Sequence, residues 1–177
     1  MTSTCAIRLN SALTERQKAL FQNPDQIREV LRTAHTIAIV GLSTDPQKAS
    51  SFVASYLQDS GYRIVPVSPR GGVILGETVY CDLTEIPIPV DVVDVFRPAI
   101  EVNALAAKAV HIGAKAFWQQ LRIINLEAAV YARDAGLVSV VDACLKMEHG
   151  RYSGGLHSAG MNTELITAKR PRGSASR

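Results

Sequence analysis

The first residues that could do chemistry follow the apolar segment TIAIV. A single glycine comes directly after this segment, and hydroxyl and lysine side chains follow the glycine. Gly41 and Leu42 begin this loop, and Ser43, Lys48 and Ser50 precede or open the next helical pattern. Backbone N–H groups at a helix N-terminus bind phosphates, and hydroxyl and ammonium groups add donors and charge. The second and third glycines of G-x-G-x-x-G are absent. The loop predicts a phosphate or pyrophosphate site, and the alternative is a capping serine beside a solvated lysine.

A second candidate position lies after the next apolar run, in the segment VSPRGG. A Rossmann protein that uses NAD places a carboxylate there, about 20 residues after the glycine turn, to bind the ribose 2′-hydroxyl. This chain has Arg70 instead, followed by two glycines that allow close backbone approach. A guanidinium suits a ribose that carries a phosphate, through charge-assisted bidentate hydrogen bonds. NADP has such a phosphate at the 2′ position and coenzyme A has one at the 3′ position, so both remain open from charge alone.

Five strand-like runs with helical patterns between them must position these loops. Near-continuous Val and Ile are typical of strands covered on both faces, and the alternation is that of βαβ units. We predict an α/β fold, a Rossmann-like doubly wound parallel sheet of about five strands with helices on both faces. The predicted strands are Thr36–Val40, Arg63–Val67, 92–96, 115–119 and 138–142.

The helical patterns between the strands end in glycine. Gly61, Gly113 and Gly136 each follow an apolar periodic segment and precede a strand, which is typical of helix C-termini. A further helix is predicted at residues 24–32, entered through an asparagine and a proline. After residue 142 the glycines argue against a long helix, so we expect an extended arm that partly packs or mediates association.

Size and composition favour one soluble domain. The chain has 177 residues, and we expect an N-terminal extension (1–22), a Rossmann-type domain (23–150) and a basic C-terminal arm (151–177) that is partly disordered at its end. Much of the net charge of +3 comes from the end of that arm, and no aromatic residues interleave with the basic residues there, which argues against nucleic-acid binding; these are Lys169, Arg170, Arg172 and Arg177. With no long apolar run and no signal-like start, we expect a cytoplasmic protein without membrane contact. Three widely spaced cysteines predict neither a disulfide framework nor a metal site.

Several longer segments together resemble the small CoA-binding proteins of bacteria and archaea, a family similar to the nucleotide-binding N-terminal domain of the succinyl-CoA synthetase alpha subunit. The likeness covers residues 36–151. The segments that carry it are VGLSTDPQKAS, SYLQDSGYRIVPVSPRG, LGETVYCDLTEIPIPVDVVDVFRP, GAKAFWQQL and CLKMEHGR.

The resemblance implies a CoA site made by the loops that follow the strands. The first loop, residues 41–51, would lie beside the CoA phosphates. The other implied contacts fall into three groups. Ser68, Pro69 and Arg70 would line the adenosine side, Phe96, Arg97 and Pro98 would border the nucleotide or the pantetheine arm, and Gln119 with Gln120 would lie towards the thiol end. Two departures from the family pattern, Arg122 in place of glycine and Ala143 in place of arginine, fall near that thiol end.

The same resemblance bears on catalysis. The synthetase reaction needs a phosphorylated histidine and a partner domain outside the CoA domain, and this chain's four histidines do not supply the missing part. Cys144 is the one nucleophile near a strand's carboxyl end, and a packed small residue is the alternative for it. We therefore expect a protein that binds coenzyme A or an acyl-CoA without catalysis of its own, and we assign no catalytic residues. The alternatives are an NADP-dependent oxidoreductase and a protein-interaction module with a vestigial cleft, and the glycine-rich arm is compatible with a homodimer.

Overall fold

The computed structural model describes residues 13–152. This part of the chain forms a parallel sheet with helices on both faces and a small hairpin. Its helices are α1 Glu15–Phe21, α2 Pro24–Thr33, α3 Ala49–Asp59, α4 Val102–His111, α5 Leu126–Asp134 and α6 Leu145–Tyr152. Its strands are β1 Thr36–Val40, β2 Arg63–Val67, β3 Val73–Ile74, β4 Glu77–Thr78, β5 Val92–Val95, β6 Ala116–Gln119 and β7 Val138–Val140.

The main sheet has the strand order β2-β1-β5-β6-β7 within the described residues, and all of its pairings are parallel. The predicted Rossmann-like fold is therefore confirmed. The chain moves from β1 outward to β2 and then crosses to β5 on the other side of β1. This reversal makes a topological switch point between β1 and β5, where ligands bind beyond the carboxyl ends of the strands in such sheets.

Two apolar layers cover the sheet. On one face α2, α3 and α6 pack through residues such as Ile27, Leu57 and Leu145. On the other face α4 and α5 pack through small residues, among them Ala106 and Ala132, which let the helices approach the strands closely. The sheet is thus covered on both faces, as the near-continuous apolar strands predict.

The helices that precede β2, β6 and β7 end as the sequence predicts. Gly61, Gly113 and Gly136 all have positive φ, at +96°, +72° and +96°. In each case the glycine N–H and the N–H of the next residue donate back to carbonyls of the last helical turn, which is the Schellman arrangement. These local signals fix where each strand begins.

Some strand boundaries differ from the prediction. The third, fourth and fifth predicted strands are shorter, and the last one ends at Val140 because Val141 donates its N–H to Phe21 O of α1 instead of to β6. Asp142 then leaves the strand with a φ of +55°. The β3–β4 hairpin, which follows the Arg70 loop, was not predicted; each strand is two residues long and therefore carries no periodic signal.

The expected extended segment after residue 142 is wrong for Leu145–Tyr152, which form helix α6. Tertiary packing stabilises this helix despite the glycine inside it. Tyr56 of α3 bonds His149 Nδ1 at 3.0 Å, and Arg28 of α2 lies over the Tyr152 ring at 5.3 Å from its centroid. The segment LKMEHGR is therefore part of the helical layer.

Three other expectations concern the whole chain, whereas the structure describes only residues 13–152. They are the C-terminal arm, the lack of a membrane span and the lack of a metal site. The basic tail and the remainder of the C-terminal arm lie outside the described residues, as do Cys5 and His157. Among the helices of residues 13–152, none combines the length and the apolar surface that crossing a bilayer requires. Within the same residues, no group of His, Cys, Asp and Glu side chains is arranged to hold a metal ion.

Candidate functional site

A cleft of about 290 Å³ opens at the carboxyl ends of β1, β2 and β5. It therefore occupies the switch point of the sheet. Loops from three different strands contribute to it, so residues distant in sequence share one wall. The lining residues are Gly41, Leu42, Ser43, Thr44, Ser68, Pro69, Arg70, Gly71, Ile74 and Arg97.

The loop after β1 is held by serines from the first turn of α3. Gly41 makes the turn with a φ of +88°, and its N–H continues the ladder to Val67 O at 2.9 Å. The Ser50 hydroxyl accepts the Ser43 N–H at 3.2 Å, and Ser51 Oγ donates to Ser43 O at 2.8 Å. These bonds close the loop over its own backbone and set the shape of the cleft floor.

Lys48 and Ser50 lie outside the residues that line the cleft. Ser50 is buried, and its oxygen accepts a loop amide instead of facing the cleft. Lys48 is exposed and occupies the N-cap position of α3, where no side chain caps the helix. The first amide N–H groups of a helix have no partner within it, so this end of α3 presents free donors next to the loop.

Arg70 stands at the rim, in the turn between β2 and the hairpin. A bond from Gly71 N–H to Ser68 O at 3.2 Å forms the turn, and Ser68 N–H donates to Tyr80 O at 3.0 Å. The Arg70 side chain is exposed and makes no ion pair with any acid of residues 13–152. A free guanidinium thus stands where an NAD-binding protein carries a carboxylate.

Arg97 reaches the cleft from the loop after β5. Its Nε and Nη2 donate to the two carboxylate oxygens of Glu101, each at 2.8 Å. This bidentate pairing raises the pKa of Arg97 and lowers the pKa of Glu101, so both groups are charged at neutral pH. The neighbouring Phe96 is half-buried against the core and Pro98 is exposed, and both lie outside the lining.

Comparison with known proteins agrees with this architecture. The family model of the CoA binding domain matches residues 35–150. The chain belongs to the CoA binding domain family. It is also 36% identical to the uncharacterized protein YneT of Bacillus subtilis over 130 residues, which cover 72% of this chain and 96% of YneT.

Solved structures of other proteins share the fold of this chain. A hypothetical protein from Pyrococcus horikoshii superposes with a TM-score of 0.72 and 33% identity, covering 87% of this chain and all of that one. A dinucleotide-forming acetyl-coenzyme A synthetase from Korarchaeum cryptofilum, in complex with phosphate and ADP, superposes at 0.53 with 22% identity. That match covers 62% of this chain and 26% of the synthetase, and it shows a shared fold.

In this member of the family, Gln119 lies inside the sheet and outside the cleft lining. Its Nε2 donates to Asn125 O at 3.0 Å, and its Oε1 accepts the Asn125 N–H at 2.7 Å. Asn125 in turn caps α5 and donates to Ala99 O in the neighbouring loop. Gln119 therefore holds the α5 N-terminus in position, and its predicted contact with the thiol end stays a prediction.

The next residue, Gln120, forms a buried polar pair with Asp94 in the apolar layer under α3 and α6. Gln120 Nε2 lies 3.0 and 2.9 Å from the two carboxyl oxygens of Asp94, which is fully buried. Burial raises the pKa of Asp94 to about 8, although donation from Gln120 and from the Val95 N–H opposes the shift. Asp94 is thus a neutral acid at pH 7, close to the carboxyl end of β5.

Thr44 and Gly71, which lie in the two loops that the sequence predicts at the site, also line the cleft. The sequence analysis did not identify two residues of this region: Ile74, which lines the cleft, and Glu101, which binds Arg97. The spacing of Arg97 and Glu101, four residues apart, was a usable signal, because side chains at that spacing meet on a helical turn. Ile74 carried no such signal, since its hairpin is too short to show a period.

Proposed function

We propose that the cleft binds coenzyme A or an acyl-CoA and that the protein acts as a CoA-binding protein without catalysis of its own. Membership of the CoA binding domain family supports the ligand class. The observation that carries the proposal is Arg70, an exposed guanidinium without an acidic partner in residues 13–152, at the rim of the switch-point cleft.

The charges around the cleft suit the phosphates of CoA. Arg70 would meet the 3′-phosphate on the ribose, since it follows β2, where such folds bind that part of a nucleotide. The diphosphate would lie over the loop from Gly41 to Ser43, between the uncapped start of α3 and Arg97. Both the free amides and the positive end of the helix dipole favour an anion there.

The volume of the cleft indicates which part of CoA would lie inside it and which part would lie on the surface. About 290 Å³ is at the lower end of the roughly 300–1,000 Å³ of small-molecule pockets, so it suffices for part of CoA only. The nucleotide would occupy the cleft beside Leu42 and Ile74, whose apolar side chains suit an adenine ring. The pantetheine arm would run along the surface over the carboxyl ends of β5 and β6.

The lining residues support binding without catalysis. They supply backbone, hydroxyl, guanidinium and aliphatic groups, and no histidine, cysteine or carboxylate among residues 13–152 lines the cleft. The described histidines are placed elsewhere: His149 packs between Tyr56 and Tyr62, and His35 and His111 are exposed. General acid–base chemistry would need such a group within reach of the substrate, and a serine or threonine of the lining would need one beside it as a base to become a nucleophile.

Calorimetric titration of the full chain with CoA, acetyl-CoA, NADPH and NADH tests the proposal. We expect saturable binding of both CoA species and none of either nicotinamide nucleotide. Tight binding of NADPH without CoA would replace the proposal with the oxidoreductase alternative, because Arg70 suits a 2′-phosphate equally well.

Thermal unfolding tests the remaining alternative, a protein-interaction module with a vestigial cleft. A ligand that binds only the native state must raise its melting temperature, by an amount equivalent to about 2.7 kcal/mol at one hundred times Kd. If millimolar CoA, acetyl-CoA, NADPH and NADH all leave the melting temperature unchanged, the interaction-module alternative replaces a nucleotide-binding role.

A further inference from the structure

The ion pair between Arg97 and Glu101 leaves part of the guanidinium unused. Glu101 takes the edge made by Nε and Nη2, with both bonds at 2.8 Å. Arginine has five N–H donors, and the edge made by its two terminal nitrogens can still bind an oxyanion. No other acceptor of residues 13–152 bonds this side chain, and Arg97 lines the cleft.

Arg97 is also fixed at its aliphatic part. Its Cδ lies 2.8 Å from the position that a Cβ on Gly41 would occupy, so the side chain lies directly against the glycine turn. Pro98 is the N-cap residue of the short 3-10 helix Ala99–Glu101, which brings Glu101 back towards the guanidinium. Contacts at both ends thus restrict the rotamers of a side chain that is 40% exposed.

Such restriction matters for binding, because a free arginine loses much rotamer entropy when it binds a ligand, and an arginine already held in place loses less. We propose that Glu101 is a positioning residue, which holds Arg97 so that its unused edge meets the diphosphate of the bound nucleotide. The inference rests on the proposed CoA site and deepens it. Arg97 meets the diphosphate, and not the 3′-phosphate, because it lies against the Gly41 turn on the β5 side of the cleft, whereas Arg70 lies on the β2 side.

The opposite role for Glu101 would be competition. Its carboxylate carries a negative charge close to the predicted diphosphate, and a competing anion would weaken binding. Removal of Glu101 would then strengthen the affinity for CoA. The two roles predict opposite signs, so a single substitution distinguishes them.

A double-mutant cycle on the full chain tests the positioning role. We expect Glu101→Ala to raise the Kd for CoA about fivefold, which is within the range of coupling between contacting side chains. Glu101→Gln, which keeps one acceptor oxygen, should recover part of the loss. In the Arg97→Ala background, Glu101→Ala should have no further effect, whereas a general structural role would produce the same loss in both backgrounds.

Glu29→Ala is the matched control. Glu29 also forms a bidentate pair with an arginine, Arg32, but on the exposed surface of α2. Its removal should leave the Kd for CoA unchanged. The loss from Glu101→Ala should also be equal for CoA and 3′-dephospho-CoA, since both contain the diphosphate.

The outcomes separate this inference from the proposed function. If the wild-type chain binds CoA and Glu101→Ala leaves the Kd unchanged, lowers it, or acts equally in both Arg97 backgrounds, the positioning role is wrong and the CoA site stands. If the wild-type chain does not bind CoA, the proposed function and the positioning role are both wrong.

Discussion

The Cδ of Arg97 lies 2.8 Å from the place where a Cβ on Gly41 would stand, and the carbonyl oxygen of Phe96 lies 2.9 Å from it. The turn after β1 and the loop after β5 are thus in direct contact at the switch point. One of these neighbours is backbone, which cannot rotate away as a side chain can. The absence of a side chain at residue 41 is therefore a condition for placing Arg97 at the cleft.

We predict that Gly41→Ala lowers both stability and affinity. Alanine at a φ of +88° costs about 1–2 kcal/mol in backbone strain, and the new methyl must also displace Arg97 or Phe96. Denaturant unfolding should show a loss larger than that strain alone, and calorimetry should show weaker CoA binding.

Gly61→Ala is the control for this prediction. Gly61 has a similar φ of +96°, but a Cβ there meets nothing within 4 Å, and the residue follows α3 far from the cleft in the fold. We expect a stability loss from strain alone and an unchanged Kd for CoA. Equal stability losses in the two variants would show that the contact with Arg97 is unimportant.

We predict that Arg70→Ala weakens CoA binding about tenfold and leaves 3′-dephospho-CoA nearly unaffected. Hydrogen bonds to charged groups contribute roughly 1.5–3 kcal/mol, and the exposure of Arg70 favours the lower end because water and salt screen it. Calorimetry with both ligands measures the difference. Arg63 is the control, because it lies at the N-terminal end of β2, away from the cleft, and Arg63→Ala should change neither affinity. An equal loss for both ligands in Arg70→Ala would place Arg70 away from the 3′-phosphate.

We predict that Cys144 reacts slowly with oxidised CoA. Burial raises the pKa of the Cys144 thiol, although backbone N–H groups of Met147 and Lys146 oppose the shift, so little thiolate is present at pH 7. Cys81 is exposed and serves as the internal control. Peptide mass spectrometry should find the mixed disulfide first on Cys81, and faster modification of Cys144 would restore it as a candidate nucleophile.

Local signals explain which parts of the fold were predictable from sequence. The strands are apolar and rich in Val and Ile, and Gly61, Gly113 and Gly136 mark helix ends through a positive φ that depends on nearest neighbours alone. The switch-point loops follow from those strand ends. The position of Arg70 in the cleft lining could be predicted for the same reason, since Arg70 follows the end of β2.

The remaining features depend on contacts between distant parts of the chain. Ser50 could donate to a ligand or accept from an amide, and the choice depends on how the loop folds back to Ser43. Helix α6 forms because Tyr56 and Arg28 pack against it, which its own residues do not reveal. Asp94 gave no signal because its partner, Gln120, follows a different strand, β6.

We predict that Asp94→Asn raises stability increasingly as pH rises from about 4 to 8. The folded-state pKa of about 8 exceeds the ordinary value of 3.8, so between these pH values the native state holds a proton that the unfolded state has lost. Wild-type stability from this group is fully present below pH 4 and falls by about 1.4 kcal/mol per pH unit up to pH 8. Asparagine does not titrate, so the difference between variant and wild type should grow with that slope in denaturant unfolding at pH 5, 6, 7 and 8.

Asp91, which lies just before β5, is the control for this prediction, because its pKa is shifted in the opposite direction from that of Asp94. Burial acts to raise the pKa of Asp91, but bonds from Lys115 and from the Thr36 and His35 N–H groups outweigh it, so the pKa is lowered. Its stabilising effect is therefore present above pH 3.8 and is lost as pH falls through the lowered pKa. Asp91→Asn should destabilise the protein at pH 7 and less so in acid, and a pH-independent Asp94→Asn difference would show that Asp94 is ionised in the native state.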